Sequence, residues 1–207
     1  CGKGAVDLCF TCLSGCPGAE RESDEWIFPL FDYRDPTIKK ALWLLKYKGK
    51  RGLANVFGQV LYGKIMEELS ELSLLENFTD AILIPIPLSP KRRRERGFNQ
   101  AELICRELIK IDQKENHREN KEKNNFRLEK SVLIKPKDTL HQARIRNRSE
   151  RLKNLTGSFG VKNEYLIKNK NVILIDDITT TGATLTEARK ILRGAGARKV
   201  IAFTVAH

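Results

Sequence analysis

The stretch Val172 to Leu185, VILIDDITTTGATL, constrains this chain more than any other part of it. Its apolar run, Val172 to Ile175, is short for a helix and reads as a strand buried on both faces. The strand delivers two adjacent carboxylates, Asp176 and Asp177, to its carboxyl end, which is where ligands sit in open α/β sheets. The loop Thr179-Thr180-Thr181-Gly182-Ala183-Thr184 then enters a helical pattern over Ala183 to Leu192, with Leu185, Ala188, Ile191 and Leu192 inward. Thr184 and Glu187 have the spacing of a capping box. Backbone N–H groups at a helix start bind phosphate, Gly182 lets the backbone come close, and the threonine hydroxyls add donors.

Two carboxylates beside a phosphate would repel it unless they face donors or a cation. Ribose hydroxyls are such donors, so acids and cradle together describe a sugar 5-phosphate held at both ends. Neither G-x-x-x-x-G-K-[ST] nor G-x-G-x-x-G occurs, which disfavours a P-loop motor and a dinucleotide enzyme. The bland alternative is an ordinary strand, turn and capped helix with acids facing solvent, and the conjunction of so many features argues against it.

Around this window the pattern alternates. From Pro36, Ile38, Ala41, Leu42 and Leu45 recur at helical spacing, and a second helix follows with Leu53, Val56, Phe57, Val60 and Leu61 on one face. Asp80 to Pro87 reads as a buried strand closed by prolines, Pro90 to Arg96 as a basic loop, and Asn99 with Glu102 as the start of a helix through Cys105 and Leu108. Residues 112–130 carry six Lys and Arg against five Asp and Glu with little apolar content, and read as a solvated insertion. Val132 to Ile134, Ser158 to Val161 and Val200 to Val205 are further strand candidates. Lys135 to Lys153 reads as a basic loop passing into a short helix. Strand, helix and strand at this spacing predict an α/β fold with a mainly parallel sheet over residues 26–207.

A formal charge of +12 and a pI near 9.6 point to an anionic partner. The apolar runs fall far short of the roughly 18 to 20 residues a membrane span needs, so no membrane role is expected. Residues 1–25 hold Cys1, Cys9, Cys12 and Cys16, four of the five cysteines, and little apolar periodicity. Such local crowding suggests a small metal module in a reducing, cytoplasmic setting rather than a secreted disulfide scaffold. Cys9 and Cys12 have the knuckle spacing at which two thiolates meet one structural Zn²⁺, and Cys1 and Cys16 could complete the set. A metal-free reduced cluster and a disulfide or redox dithiol are the alternatives. The chain starts at Cys1 rather than Met, so it is expected to begin inside a longer N-terminus.

At the acids and threonine loop the chain resembles the type I phosphoribosyltransferases, and within them the ComF competence family. ALWLLKYKGKRGLA at Ala41 to Ala54 carries the narrower resemblance, as does PIPLSPKRRRERGFNQAELI at Pro85 to Ile104. So do Thr139 with Gln142, Arg151 with Asn154, and Gly157 with Phe159. The family usually places an Arg just before Thr139, where this chain has Asp138. The resemblance implies a type I phosphoribosyltransferase fold with an N-terminal Cys-rich zinc module. It implies that Asp176 and Asp177 hold ribose hydroxyls, that Thr179 to Thr184 hold the 5-phosphate, and that Pro87, Leu88 and Ser89 meet pyrophosphate with Arg96 beside them. Gln142, Arg151 and Asn154 would belong to a flexible loop that closes over the site, with Gln142 and Arg151 catalytic beside Asp176 and Asp177, and Mg²⁺ would bridge pyrophosphate and ribose oxygens of phosphoribosyl pyrophosphate. It also implies handling of single-stranded DNA in natural transformation, with a competence helicase as a possible partner.

Lys39 to Arg51 holds six bases and no acid. Trp43 and Tyr47 interleave with Lys39, Lys40, Lys46, Lys48, Lys50 and Arg51, a combination suited to stacking bases while neutralising phosphates. A packed Trp43 and a merely solvated lysine face would explain the same residues. Two further functional readings stay open at this point: a nucleotide-metabolism phosphoribosyltransferase with no DNA role, and a non-catalytic sensor of phosphoribosyl pyrophosphate.

Overall fold

In the computed structural model, residues 8–19, 25–119, 124–136 and 157–207 are described. In chain order they form α1 (Phe10–Ser14), β1 (Ile27–Phe31), α2 (Pro36–Tyr47), α3 (Leu53–Glu76), β2 (Ala81–Pro85), α4 (Pro90–Arg96) and α5 (Gln100–Arg118). Then follow β3 (Phe126–Leu128), β4 (Leu133–Ile134), β5 (Gly160–Val161), β6 (Asn171–Ile178), α6 (Ala183–Gly194) and β7 (Lys199–Ala206).

Five strands make a parallel sheet in the order β1-β7-β6-β2-β3, and β4 pairs with β5 in a small antiparallel ribbon. The period of two along a strand divides the apolar residues between two cores. Ile173 and Ile175 of β6, with Leu83, Ile201 and Phe203, pack under α2, α3 and α5 through Leu42, Phe57, Leu61 and Ile104. Val172 and Leu174, with Ile82, Ile84 and Val200, pack under α6 and the small ribbon through Leu185, Leu192, Leu133 and Phe159. The continuous apolar reading of β2 and β6 follows from this: both faces are covered.

The chain leaves β2 toward β3 on one side and leaves β6 toward β7 on the other. The neighbouring carboxyl ends of β2 and β6 are therefore the switch point of the sheet, where a crevice opens.

Several expectations are corrected. Residues 112–130 are not simply a solvated insertion: the last turns of α5 and strand β3 lie within them. Asp112 is fully buried there, and its carboxylate accepts hydrogen bonds from the backbone N–H of Asn125 (2.9 Å) and Phe126 (3.2 Å) and from the Tyr62 hydroxyl (3.2 Å). The basic loop Pro90 to Arg96 is helix α4, with Pro90 in its first turn, Ser89 as N-cap and Gly97 in the left-handed C-cap that glycine adopts freely. Strand β1 adds to the expected elements; it is a short edge strand and carries Pro29, which an edge tolerates. The described part of the N-terminal segment is tied to the domain, since Leu8 and Leu13 enter the larger core and Ala19 N–H donates to Leu30 O (3.0 Å). No helix among the described residues is long and apolar enough to cross a membrane.

Candidate functional site

A cleft of about 340 Å³ opens at the switch point. One wall is the end of β6 and the turn into α6, from Asp176 to Leu185, and another is the segment after β2, from Ile86 to Ser89. Arg92 and Arg96 of α4, Asn99, Gln100 and Lys135 border it, and Tyr33, Trp43, Lys46 and Tyr47 close the remaining side. The cleft thus gathers every described residue that the sequence reading named for the sugar phosphate: both acids, Thr179 to Thr184, Pro87, Leu88, Ser89 and Arg96. Gln142 and Arg151 lie outside the described residues.

The turn before α6 follows from its residues. Thr179 N–H donates to Ala206 O (2.9 Å), so β6 and β7 stay paired to the edge of the cleft. Gly182 then takes φ 69°, a left-handed backbone that favours glycine, and the chain turns into α6. Gly182 is itself the N-cap, so Thr184 sits inside the helix and the expected capping box does not form; Glu187 instead accepts from Gly157 N–H (2.9 Å).

The two acids differ. Lys46, reaching over from α2, brings its Nζ within 3.1 Å of Asp177 Oδ1, with both side chains largely buried. Asp176 Oδ1 accepts from Asp177 N–H (2.8 Å). Burial and the neighbouring Asp177 charge nevertheless push the Asp176 carboxyl up to about 7, against the pull of that hydrogen bond, Lys46 and Lys135. The dyad therefore holds one firmly paired carboxylate and one that takes up a proton near neutrality.

The facing wall is pinned by α5. Asn99 caps the helix through Ala101 N–H (3.0 Å) and donates from Nδ2 to Ile86 O (2.9 Å), which fixes the segment after β2. Glu102 does not complete a capping box; it pairs with Arg93 (3.0 Å) and Arg106 (2.8 Å). Ser89 is buried at the start of α4. Arg96 donates to Gln100 Oε1 (3.1 Å) and lies 5.3 Å from the centre of the Tyr47 ring. Gln100 is 1% exposed, and its Nε2 has no hydrogen-bond partner although it borders the cleft.

The segment Lys39 to Arg51 divides. Trp43 (47% exposed) and Tyr47 (55% exposed) are not packed core; their rings lie 6.3 Å apart at the cleft. Lys48 stands 5.4 Å from the Trp43 ring centre and Arg51 4.8 Å from that of Phe98, while Lys39, Lys40 and Lys50 are exposed. Lys46, read from sequence as a strand-binding lysine, is instead the cation of the acid pair. Its helical spacing to Trp43 and Tyr47 was visible in the sequence, but its reach to Asp177 needed the α2 packing. Lys135, Asn99 and Gln100 had no sequence signal of a site role.

Of the four N-terminal cysteines, the structure brings the thiols of Cys9 and Cys12 together. Cys9 precedes α1, and a hydrogen bond from Cys12 N–H lowers its thiol pKa, while the Cys9 thiol and burial raise that of Cys12. Cys16 instead directs its thiol to Cys12 O (3.3 Å), and Cys1 lies outside the described residues. Among the described residues no group of three or more His, Cys, Asp or Glu side chains is placed to hold a metal ion. The expected four-thiolate set is therefore not assembled by them.

Residues 114–207 match the phosphoribosyl transferase domain family. Over 177 residues the chain is 33% identical to the competence protein ComFC of Bacillus subtilis, covering 85% of this chain and 62% of that protein. The competence protein ComFC of Streptococcus pneumoniae is 31% identical over 140 residues, 63% of this chain and 50% of that one. This chain belongs to the ComF family. Its phosphoribosyltransferase-type domain has the type I fold, a parallel sheet flanked by helices. A DNA utilization protein YhgH of Escherichia coli is 25% identical over 196 residues, 93% of this chain and 74% of that one. The chain spans 50% and 62% of the length of the two ComFC proteins. A hypoxanthine phosphoribosyltransferase structure from Staphylococcus aureus aligns with 72% of this ComF chain, and 62% of its own, at a TM-score of 0.38 and 12% identity.

Proposed function

We propose that this ComF-family chain binds phosphoribosyl pyrophosphate with Mg²⁺ in the cleft at the β2 and β6 ends and handles single-stranded DNA in natural transformation. The observation that carries the reading is the juxtaposition, around one cleft, of an acid pair, a threonine-glycine turn opening a helix, and Ser89 with Arg92 and Arg96 opposite. A ligand with hydroxyls in its middle and phosphates at both ends matches that order of acceptors and donors. Asp176 and Asp177 are hard oxygen ligands of the kind Mg²⁺ takes, with phosphate oxygens and waters supplying the rest. When bound, the ion would neutralise charge on the departing pyrophosphate, should ribosyl transfer occur.

The DNA part rests on the names of the ComFC and YhgH relatives and on the exposed Trp43 and Tyr47 among cations. A structural Zn²⁺ at the N-terminal cysteines belongs to the same proposal and rests on the proximity of the Cys9 and Cys12 thiols. Titration calorimetry with phosphoribosyl pyrophosphate and Mg²⁺ tests the core of the proposal. Wild type should bind, and Asp176→Asn with Asp177→Asn should lose at least tenfold in affinity. Equal binding by the double variant would overturn the site assignment.

A further inference from the structure

In sequence, the aromatic-basic segment and the phosphate cradle are more than a hundred residues apart and read as two sites. In the fold they are two walls of one. Trp43 and Tyr47, the exposed rings suited to stacking bases, border the same cleft as Asp177 and Thr180. Arg96 faces both ways: its guanidinium lies over the Tyr47 ring (5.3 Å) and bonds Gln100 at the cleft wall (3.1 Å). Arg92 and Arg96 also line a second hollow of about 340 Å³, with Lys46, Tyr47, Gly49, Glu95 and Phe98. The cations near the rings are thus the cations available to a pyrophosphate.

We infer that a single strand stacked on Trp43 and Tyr47 and a phosphoribosyl pyrophosphate in the cleft exclude one another, so that the small ligand releases the strand. This rests on the proposed function for each ligand taken separately. The physical reason is twofold. A base lying on Trp43 and Tyr47 rests on side chains that themselves line the cleft, so its sugar and phosphates crowd the space beside Asp177 and Thr180. Both ligands are polyanions, and at the roughly 10 Å Debye length of 0.1 M salt, phosphates around the same Arg92 and Arg96 repel across a partly enclosed space. Lys46 does not relieve that repulsion, because it is held by Asp177 at 3.1 Å. Exposed Lys39, Lys40 and Lys50 lie off the cleft and supply the remainder of the strand path.

The test uses the full chain. Anisotropy of a fluorescent oligothymidylate is titrated at several fixed concentrations of phosphoribosyl pyrophosphate with Mg²⁺, ionic strength held constant with NaCl. Exclusion predicts an apparent strand Kd that rises linearly with free ligand and without plateau, by about elevenfold when the ligand stands at ten times its own Kd. An unchanged Kd, a tightened one, or a rise that levels off at saturation would each mean that both ligands sit together, and would overturn the inference. The two binary titrations are run alongside: absence of binding in either one overturns the function on which the inference rests, whereas binding in both with no exclusion overturns the inference alone.

Discussion

Lys46 Nζ lies 3.1 Å from Asp177 Oδ1 and joins the middle of the basic segment to the end of the central strand. The side chains are 15% and 11% exposed, so whatever the pair's net worth against its desolvation, losing one member leaves the other charge in a poor solvent. Lys46→Met is expected to destabilise the fold by about 1–3 kcal/mol, below the roughly 3–5 kcal/mol of fully buried pairs. Adding Asp177→Asn should recover much of the loss, because no unpaired charge then remains. Urea denaturation of both single variants and the double variant gives the coupling directly, and additive single effects would contradict the pair.

The two carboxylates also set a pH dependence. Asp176 is pushed from its ordinary 3.8 up to about 7 by burial and by the Asp177 charge. Between those values the folded state holds a proton that the unfolded state has released, so stability falls as pH climbs through that window and levels above it. In Asp176→Asn the group cannot titrate. Unfolding free energies measured from pH 4 to 8 should therefore decline less steeply in Asp176→Asn than in wild type, with the variant relatively most stabilised at pH 8. Parallel curves for the two proteins would show that Asp176 titrates normally.

What the sequence makes legible is whatever depends on local order. The β6 strand, its acids and the turn at Gly182 are contiguous, and the apolar run, the carboxylates and the glycine each carry their own signal. The partners of those groups are not local. Lys46 looked like one more base in a run of bases, since nothing in its own neighbourhood reveals that α2 lays it across the end of β6. Helix α4 was hidden for a related reason: five Lys and Arg over Pro90–Arg96 suppress any apolar periodicity, while the Ser89 and Gly97 caps that define it are signals of position rather than of burial. Strand β3 failed because the charged residues around it are more numerous than its three members.

Asp112 shows the same limit from the other side, since an acid in a charged window reads as solvated and here is fully buried. Its carboxylate terminates the backbone of the turn before β3 through Asn125 and Phe126 N–H and is met by the Tyr62 hydroxyl. Asp112→Ala leaves those donors without acceptors at a cost of about 1–3 kcal/mol for each one that stays buried. The expected outcome is a loss of about 2–4 kcal/mol in urea denaturation, among the large effects that broken buried networks produce. Hydrogen exchange at Asn125 and Phe126 should accelerate together with it. A loss under about 0.5 kcal/mol, the size of an ordinary surface change, would return this segment to the solvated reading.

Gln100 offers the cleanest separation of ligand binding from folding. Its Oε1 already accepts from Arg96, which fixes the amide orientation and leaves Nε2 buried beside the cleft without a partner. An unmet buried donor costs free energy in the unliganded protein, and replacing it with an apolar group of similar size can be nearly neutral or stabilising. The same donor becomes useful once a phosphate or hydroxyl oxygen enters the cleft. Gln100→Leu is therefore expected to keep the thermal midpoint within a few degrees of wild type while weakening phosphoribosyl pyrophosphate binding by about tenfold or more, the scale of a single hydrogen bond to a charged acceptor. Calorimetric titration paired with a thermal melt reads both. A variant that melts far lower with ligand affinity intact would make Gln100 a structural group of α5 and remove it from the site.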